Sequence, residues 1–402
     1  MSGTQVLVVG GGPVGLAIAL GLARQGVEVT VLDADTEIGR APRAMVHHPP
    51  VVVSLGQLGV LDDALSAGRT LSGLGHYIWE TEETISNRFD HLPPDFGLPQ
   101  GLSLGQDALT EILLRHLMAE PTANVLLGHR IVGLGQDGSG VTATVRTDSG
   151  EKRFTATWLV GADGAHSGVR DMLGLSFDGM TWPDHFVATN VRADFDALGL
   201  EDANFSIHPE YGGVIARIGS TGLWRFTYRE SPELPIQSYE DRIDTFYRAF
   251  FRDNDVRYEV VAHSPYRIHQ RSAPTYRVDR VLLAGDAAHI TNPMGGFGLM
   301  AGLLDAACLS EALGHVVRGL AEERVLTRYA DERRRAFFEV TSPASTAQKQ
   351  FIFDERPLSM RKRELDALRR AAVTGSAQAR FLLTTFAFVT PSVLVNGQEQ
   401  YT

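Results

Sequence analysis

Six residues into the chain a β-forming run, Val6 to Val9, breaks at Gly10-Gly11-Gly12-Pro13-Val14-Gly15. It passes at once into Leu16 to Gln25, where Leu16, Ala19, Leu20 and Ala23 recur at helical spacing. A strand that turns through glycines straight into a helix, with a second strand at Val27 to Leu32, predicts a parallel α/β sheet and a dinucleotide site at its edge. Gly10 permits the tight turn, Gly12 lets a pyrophosphate reach the backbone beside Pro13 and Val14, and Gly15 allows close helix packing. Asp33, closing the second strand, can accept hydrogen bonds from ribose hydroxyls and disfavours a 2′-phosphate. From this junction alone NAD and FAD fit equally well.

Two later junctions repeat the plan. Trp158 to Val160 runs into Gly161-Ala162-Asp163-Gly164 and on to Arg170, and Val281 to Ala284 runs into Gly285-Asp286, then Pro293, Gly295, Gly296 and Gly298 before an amphipathic helix. A backbone kept bare by glycine can touch a flat ring, and a helix start aims N–H groups at it. Asp286 supplies a second carboxylate for ribitol hydroxyls that NAD lacks, which favours FAD, with its isoalloxazine over the late glycines. A further G-x-G-x-x-G match at Gly133 to Gly138 has the wrong context. Gly140 and the alternating Val141 to Val145 follow it, so it reads as a hairpin. Val132, just ahead of it, is nonetheless counted with the cofactor contacts. Without a second dinucleotide fold, NADH or NADPH is expected only as a transient reductant.

The three motifs in this order, GGGPVG at Gly10 to Gly15, GADGAHSGVR at Gly161 to Arg170 and GDAAHITNPMGGFG at Gly285 to Gly298, resemble the class A flavoprotein monooxygenases, the aromatic-ring hydroxylases built on the p-hydroxybenzoate hydroxylase plan. The resemblance covers nearly everything from Gln5 to about Ala336. It implies that Arg43 and Gln106 contact FAD, that Asp163 serves a shared FAD and NAD(P)H role, that Asp286 binds ribitol, and that Pro293 to Met300, including Leu299, borders the flavin. Phe297 and Met300 stand where many relatives carry Gln and Asn, and the thioredoxin-like domain of longer relatives is not expected. The implied fold is a Rossmann-like FAD domain (1–75, 101–178 and 268–390, the last with C-terminal helices) and an inserted, mostly antiparallel substrate domain (76–100 and 179–267).

Composition removes other classes. Of 402 residues 44% are hydrophobic and 21% charged, with 37 Lys+Arg against 48 Asp+Glu. The runs Arg333 to Arg335 and Arg361 to Arg363 read as solvated helix faces, so no nucleic-acid partner is expected. The apolar start is broken by glycines and a proline, and no later apolar run reaches spanning length, so neither signal peptide nor membrane span is expected. Cys308, the single cysteine, lies in an apolar helical pattern and reads as a buried thiol in a reducing cytoplasm. No metal is expected, and the chain is read as a monomer or homodimer.

From Phe186 an antiparallel meander begins, in which Trp224, Phe226 and Tyr228 share one strand face. That stripe is read as sheet packing, with a pocket wall as the alternative. The function implied is NAD(P)H- and O2-dependent insertion of one oxygen atom into an aromatic or polyketide-like small molecule through a C4a-hydroperoxyflavin. A base for a phenolic substrate would come from His47, Tyr211 or Tyr228, and His48, beside His47 in the proline-rich loop, could also face the ligand. A halogenase or reductase of the same fold and a non-catalytic FAD-binding module are the alternatives. The halogenase Trp-x-Trp-x-Ile-Pro signature is missing.

Overall fold

The computed structural model describes residues 2–39, 44–89, 92, 97–252 and 256–394. Five strands lie side by side in parallel: Val281–Leu283, Gly150–Gly161, Ser2–Val9, Val29–Leu32 and Ala123–Leu126. Both faces of this sheet are covered, which is why its strands read as unbroken apolar runs. Val6, Leu7, Val8, Leu159, Val160, Val281, Leu282 and Leu283 are all fully buried. Register decides the site. Val9 pairs with Gly161, and Gly161 pairs with Leu283, so all three glycine turns leave the carboxyl edge at one level.

The Pro13–Ala23 and Phe297–Val317 helices pack on each other through their glycines. A Cβ on Gly21 would sit 2.6 Å from Ser310 Oγ, and one on Gly302 would sit 2.8 Å from Val14 Cγ2. The Phe297–Val317 helix is, by length and composition, long and apolar enough to cross a bilayer, which the sequence reading overlooked. Its most apolar stretch is 67% buried within the fold, as a core helix must be. The rejected G-x-G-x-x-G match is a hairpin between Arg130–Gln136 and Val141–Thr147, its turn closed by Asp137 Oδ1 accepting from the N–H groups of Ser139 (2.7 Å) and Gly140 (3.1 Å). Gly133 and Gly135 lie in the strand itself. Val132 is the extra residue where the register shifts between Thr144 and Val145.

The second sheet has eight strands, all antiparallel except the Gly73–Ile78 and Ala203–Ile207 pair. Gly73–Ile78, Asp178–Arg192 and Glu259–Ser272 run across the expected boundaries at 75/76, 178/179 and 267/268, because each strand continues until its pairing ends. One face is covered by the Glu240–Phe250 helix, whose Ile243, Phe246, Tyr247 and Phe250 bury themselves against Val187, Ile215, Trp224, Phe226 and Tyr228. The other face looks toward the parallel sheet.

After Arg324–Ala336 the helix widens into a π segment, Phe337–Thr341, and resumes as Ser342–Ile352. Pro343 has no N–H for an ordinary helical bond, and the wider turn absorbs that loss. Ser342–Ile352 packs on the Pro293–Gly295 turn and on the Ala203–Ile207 strand, and Leu358–Ala372 covers the second sheet, with Leu365 and Ala372 packed on Ile78, Ile85 and Ile207. Two arginines read from sequence as solvated are buried. Arg333 is 2% exposed and Arg361 is 1% exposed, the latter donating to Phe351 O at 2.8 Å.

Candidate active site

The three turns interlock. A Cβ on Gly10, which has φ +113°, would lie 2.3 Å from Ala162 O, and one on Gly15 would lie 2.0 Å from Gly10 O, so both positions require glycine. Gly12 differs: its φ of −73° suits any residue, and nothing lies within 4 Å of where its Cβ would be. The space before it is open, as a pyrophosphate cradle needs to be. Asp33 turns its Oδ2 onto the Gly11 N–H and its Oδ1 onto the Asp35 N–H (2.8 Å). Arg170, buried, donates to Ala287 O at 3.1 Å and so ties the second turn to the third. Asp163 accepts from Ser167 Oγ (2.5 Å) and Val169 N (3.0 Å), and burial raises its pKa despite those bonds.

In the third turn Gly285 and Ala287 are buried while Asp286 faces outward, and Val14 packs against Gly285. Asn292 caps the Pro293–Gly295 turn by accepting from Met294 N at 3.1 Å. The Phe297 ring folds back over Gly295, 2.1 Å from where a Cβ would be, and His48 Nε2 donates to Gly295 O at 3.0 Å. Among the described residues no protein acceptor meets the N–H groups of Phe297, Gly298 and Leu299, the first turn of the long helix. Leu299 is half-buried and Met300 is buried in the core. Open space at Gly12 and unmatched donors at Phe297 to Leu299 fit a ligand with a phosphate at one end and an electron-rich ring edge at the other. Gln106 opens the Gln106–Met118 helix, its N–H donating to Ala44 O at 2.8 Å. Arg43 lies outside the described residues.

Sequence reasoning missed the group beneath the third turn. Asp305 accepts from Gly285 N (2.9 Å), His289 Nε2 (2.8 Å) and Arg333 Nε (2.7 Å), and Arg333 also donates to Phe388 O (3.0 Å) and Ala301 O (3.2 Å). Burial works to raise the Asp305 pKa, but His289 and Arg333 outweigh it and hold the carboxyl below its usual range. An acid within the apolar run FGLMAGLLDAAC was the available signal, since a carboxylate there must find a partner.

The proposed base residues separate. Tyr228 and Tyr211 lie with the aromatic cluster on the sheet face away from the glycine turns. Tyr228 stacks on Phe246 with ring centroids 3.4 Å apart, and burial pushes its hydroxyl well above the usual range. Tyr211 stacks on Trp79 and His208. Strand alternation turns Tyr228 away from the glycine turns, and Tyr211, in the turn between Ala203–Ile207 and Gly213–Ile218, packs on the same side. The stripe is therefore packing, not pocket wall. His47, on a small three-stranded sheet where it pairs with Leu102, is buried, donates through Nε2 to Leu104 O at 3.0 Å, and has a pKa lowered to about 4, chiefly by burial. The sheet face that does look toward the turns carries Phe186 and Ile268, packed with Met294, Ile352 and Phe353 and flanked by Phe205, Val214 and Tyr266. Gln270 joins the three parts there, donating to Ser342 O (2.9 Å) and Thr346 Oγ1 (2.9 Å) while its Oε1 accepts from Asn292 Nδ2 (3.2 Å).

Such a parallel sheet with three aligned glycine turns and a capping antiparallel sheet defines a flavoprotein fold. A family model described as an FAD binding domain matches residues 3–343. The chain is 41% identical over 354 residues to 6-hydroxy-3-succinoylpyridine 3-monooxygenase from Pseudomonas putida (strain DSM 28022 / S16), covering 88% of this chain and 90% of that one. It is 37% identical over 380 residues to para-nitrophenol 4-monooxygenase from Pseudomonas sp. (strain WBC-3), covering 94% of each. Among solved structures, p-nitrophenol 4-monooxygenase from Pseudomonas putida DLL-E4 superposes with a TM-score of 0.91 at 35% identity over 96% of this chain and 99% of that one. Aklavinone-11 hydroxylase in complex with FAD and aklavinone gives 0.78 at 28% identity over 88% and 70%. The chain belongs to the FAD-binding-domain family, and within it to the class A flavoprotein monooxygenases. Its cofactor is FAD, with NAD(P)H as reductant.

Proposed function

We propose that the enzyme inserts one oxygen atom from O2 into a single-ring hydroxyarene, at the ring carbon para to the hydroxyl. What carries this reading is similarity over 88% and 94% of the chain to two monooxygenases whose names specify such substrates, a hydroxypyridine oxygenated at position 3 opposite its 6-hydroxyl and a nitrophenol oxygenated at position 4. The match to the polycyclic aklavinone hydroxylase covers 70% of that chain at lower identity, which favours the smaller ring. We assign the antiparallel sheet to substrate binding and the parallel sheet to FAD. The reading places the enzyme in the cytoplasm, as a monomer or homodimer without nucleic-acid or membrane partners. Cys308 stays reduced there, its thiol pushed up to about 12 by burial.

Bound FAD supplies electron transfer from NAD(P)H and the activation of oxygen. The residues of this chain do the rest. Gly10, Gly12, Pro13, Val14 and Gly15 would form the turn that receives the pyrophosphate, Asp33 would hold the ribose and Asp286 the ribitol, and Arg43, Gln106, Val132 and Asp163 are counted among the cofactor contacts. The unmatched N–H groups of Phe297 to Leu299 would stabilise negative charge on the ring edge. Met294 and Ile352, with the sheet residues Phe205, Val214 and Tyr266, exclude water.

The test is turnover under 18O2 with p-nitrophenol, hydroxypyridines and polycyclic phenols, following NAD(P)H loss and product mass. One labelled oxygen para to the hydroxyl of a one-ring product is expected. A label found only in polycyclic products, or in none, rules the reading out.

A further inference from the structure

The sheet face turned toward the glycine turns, with the helix that covers it, holds polar groups that meet no partner among the described residues. His76, on Gly73–Ile78, is 6% exposed, and its Nδ1 is buried without a hydrogen bond. Ser345 is fully buried and its hydroxyl has no partner, and the buried amide nitrogen of Gln348 has none either. Buried polar groups are nearly always satisfied in native proteins, so a cluster of exceptions calls for a cause. These three converge on one wall. Ser345 and Gln348 are one turn apart on the Ser342–Ile352 helix, which packs on both the Pro293–Gly295 turn and the Ala203–Ile207 strand. Phe351, one turn beyond Gln348, meets the His76 ring edge-on at 5.9 Å. His76 pairs in register with Phe205, which pairs with Val214, and both stay only half-buried although a helix and a loop cover that face. That residual exposure marks open space beside the unmatched groups.

Accepting the single-ring hydroxyarene reading, we propose that His76, Ser345 and Gln348 are the substrate's polar contacts: His76 accepts the ring hydroxyl, and Gln348 and Ser345 donate to an acceptor substituent such as nitro, acyl or carboxylate. An amide nitrogen can only donate, so Gln348 requires an acceptor. A neutral imidazole offers an acceptor nitrogen for a phenolic O–H, and burial lowers the His76 pKa to about 4, which keeps it neutral at working pH. The substrate class is thereby narrowed to phenols or hydroxypyridines bearing an acceptor group. A polar group kept unsatisfied for a ligand costs the empty protein stability, and that cost distinguishes it from a structural group.

The experiment uses FAD-loaded enzyme and three probes followed through the flavin absorbance: p-nitrophenol, p-cresol, which lacks the acceptor, and nitrobenzene, which lacks the hydroxyl. Gln348→Leu should bind p-nitrophenol about tenfold more weakly and p-cresol unchanged. His76→Phe should weaken both phenols similarly and leave nitrobenzene alone, and His76→Asn, which restores a polar atom near Nδ1, should recover part of the loss. Without any probe, the melting temperatures of Gln348→Leu and Ser345→Ala should equal or exceed that of the parent. Variants whose affinities for all three probes shift together, or that melt lower without ligand, overturn the proposal, because ordered water would then be satisfying these groups. A parent enzyme that binds none of the probes discards the hydroxyarene reading itself and this assignment with it. A parent that binds them, with preferences unaltered in the variants, discards only the assignment.

Discussion

Gly12 and Gly15 are both glycines of one fingerprint, yet they are glycine for different reasons. Gly15 has no room for a Cβ within the protein, whereas the Cβ of a substituted Gly12 would point into open space. Gly12→Val should therefore give a folded protein, with a melting temperature near that of the FAD-free parent, that purifies colourless. Gly135→Ala, equally uncrowded but in the hairpin strand, should keep the full flavin spectrum and its NAD(P)H affinity. A yellow Gly12→Val protein would remove the pyrophosphate from this turn. The buried histidines make a second prediction. His47 and His76 both have folded-state values lowered from 6.5 to about 4, chiefly by burial. Between those limits the unfolded chain binds protons that the folded chain refuses, so stability falls as pH drops from about 6.5 toward 4, by about 1.4 kcal/mol per pH unit for each histidine. Above 6.5 both states are neutral and the effect vanishes. Urea unfolding against pH should show this slope, and His76→Phe should flatten it by one histidine's share.

At the scale of elements, the Arg324–Ala336 helix matters through one side chain. Arg333 joins Asp305 beneath the Gly285 turn to the carbonyl of Phe388, whose ring lies 4.7 Å from that of Phe297. Arg333→Met would leave Asp305 buried with only His289 to balance it, a loss on the order of 3–5 kcal/mol. Urea unfolding should report it, and FAD should leave the variant faster, since Gly285 N also rests on Asp305. The elements themselves were unevenly legible. The strands Val6–Val9, Trp158–Val160 and Val281–Ala284 announced themselves because strands buried on both faces read as plain apolar runs followed by glycine. The Glu240–Phe250 helix was missed although Ile243, Phe246, Tyr247 and Phe250 stand at helical spacing. Arg333 and Arg361 looked solvated because a charge run shows its composition, not the carboxylate or carbonyl waiting for one member of it. The face occupied by Tyr228 could not be chosen from alternation alone, which says which residues share a face but not which face meets the turns.

For the molecule as a whole, the two large sheets share no hydrogen-bonded strand pair, and a single nucleotide-binding sheet is seen, among the described residues. On the reading proposed above, NAD(P)H visits and leaves. The freedom for a ring to move lies at Gly298, where a Cβ would meet only Thr291 Cγ2 at 3.9 Å, and not at Gly295, where Phe297 already fills the space. Anaerobic stopped-flow reduction should be about a hundredfold faster with a compound that is hydroxylated than without it, corresponding to a preference of about 2.7 kcal/mol. Equal rates would remove the gating. The order in which the strands are joined also governs how the protein comes into being. Ser2–Val9 lies at the middle of its sheet, between Val29–Leu32, made soon after it, and Gly150–Gly161, made much later, and the next strand outward, Val281–Leu283, is made later still. At roughly 5–20 residues per second of synthesis, the first strand waits on the order of ten seconds or more beside the ribosome with one edge unpaired. An edge left bare that long is open to mispairing, so slowing translation within the first 150 residues should lower the yield of active enzyme, whereas slowing it after Val281–Leu283 should not.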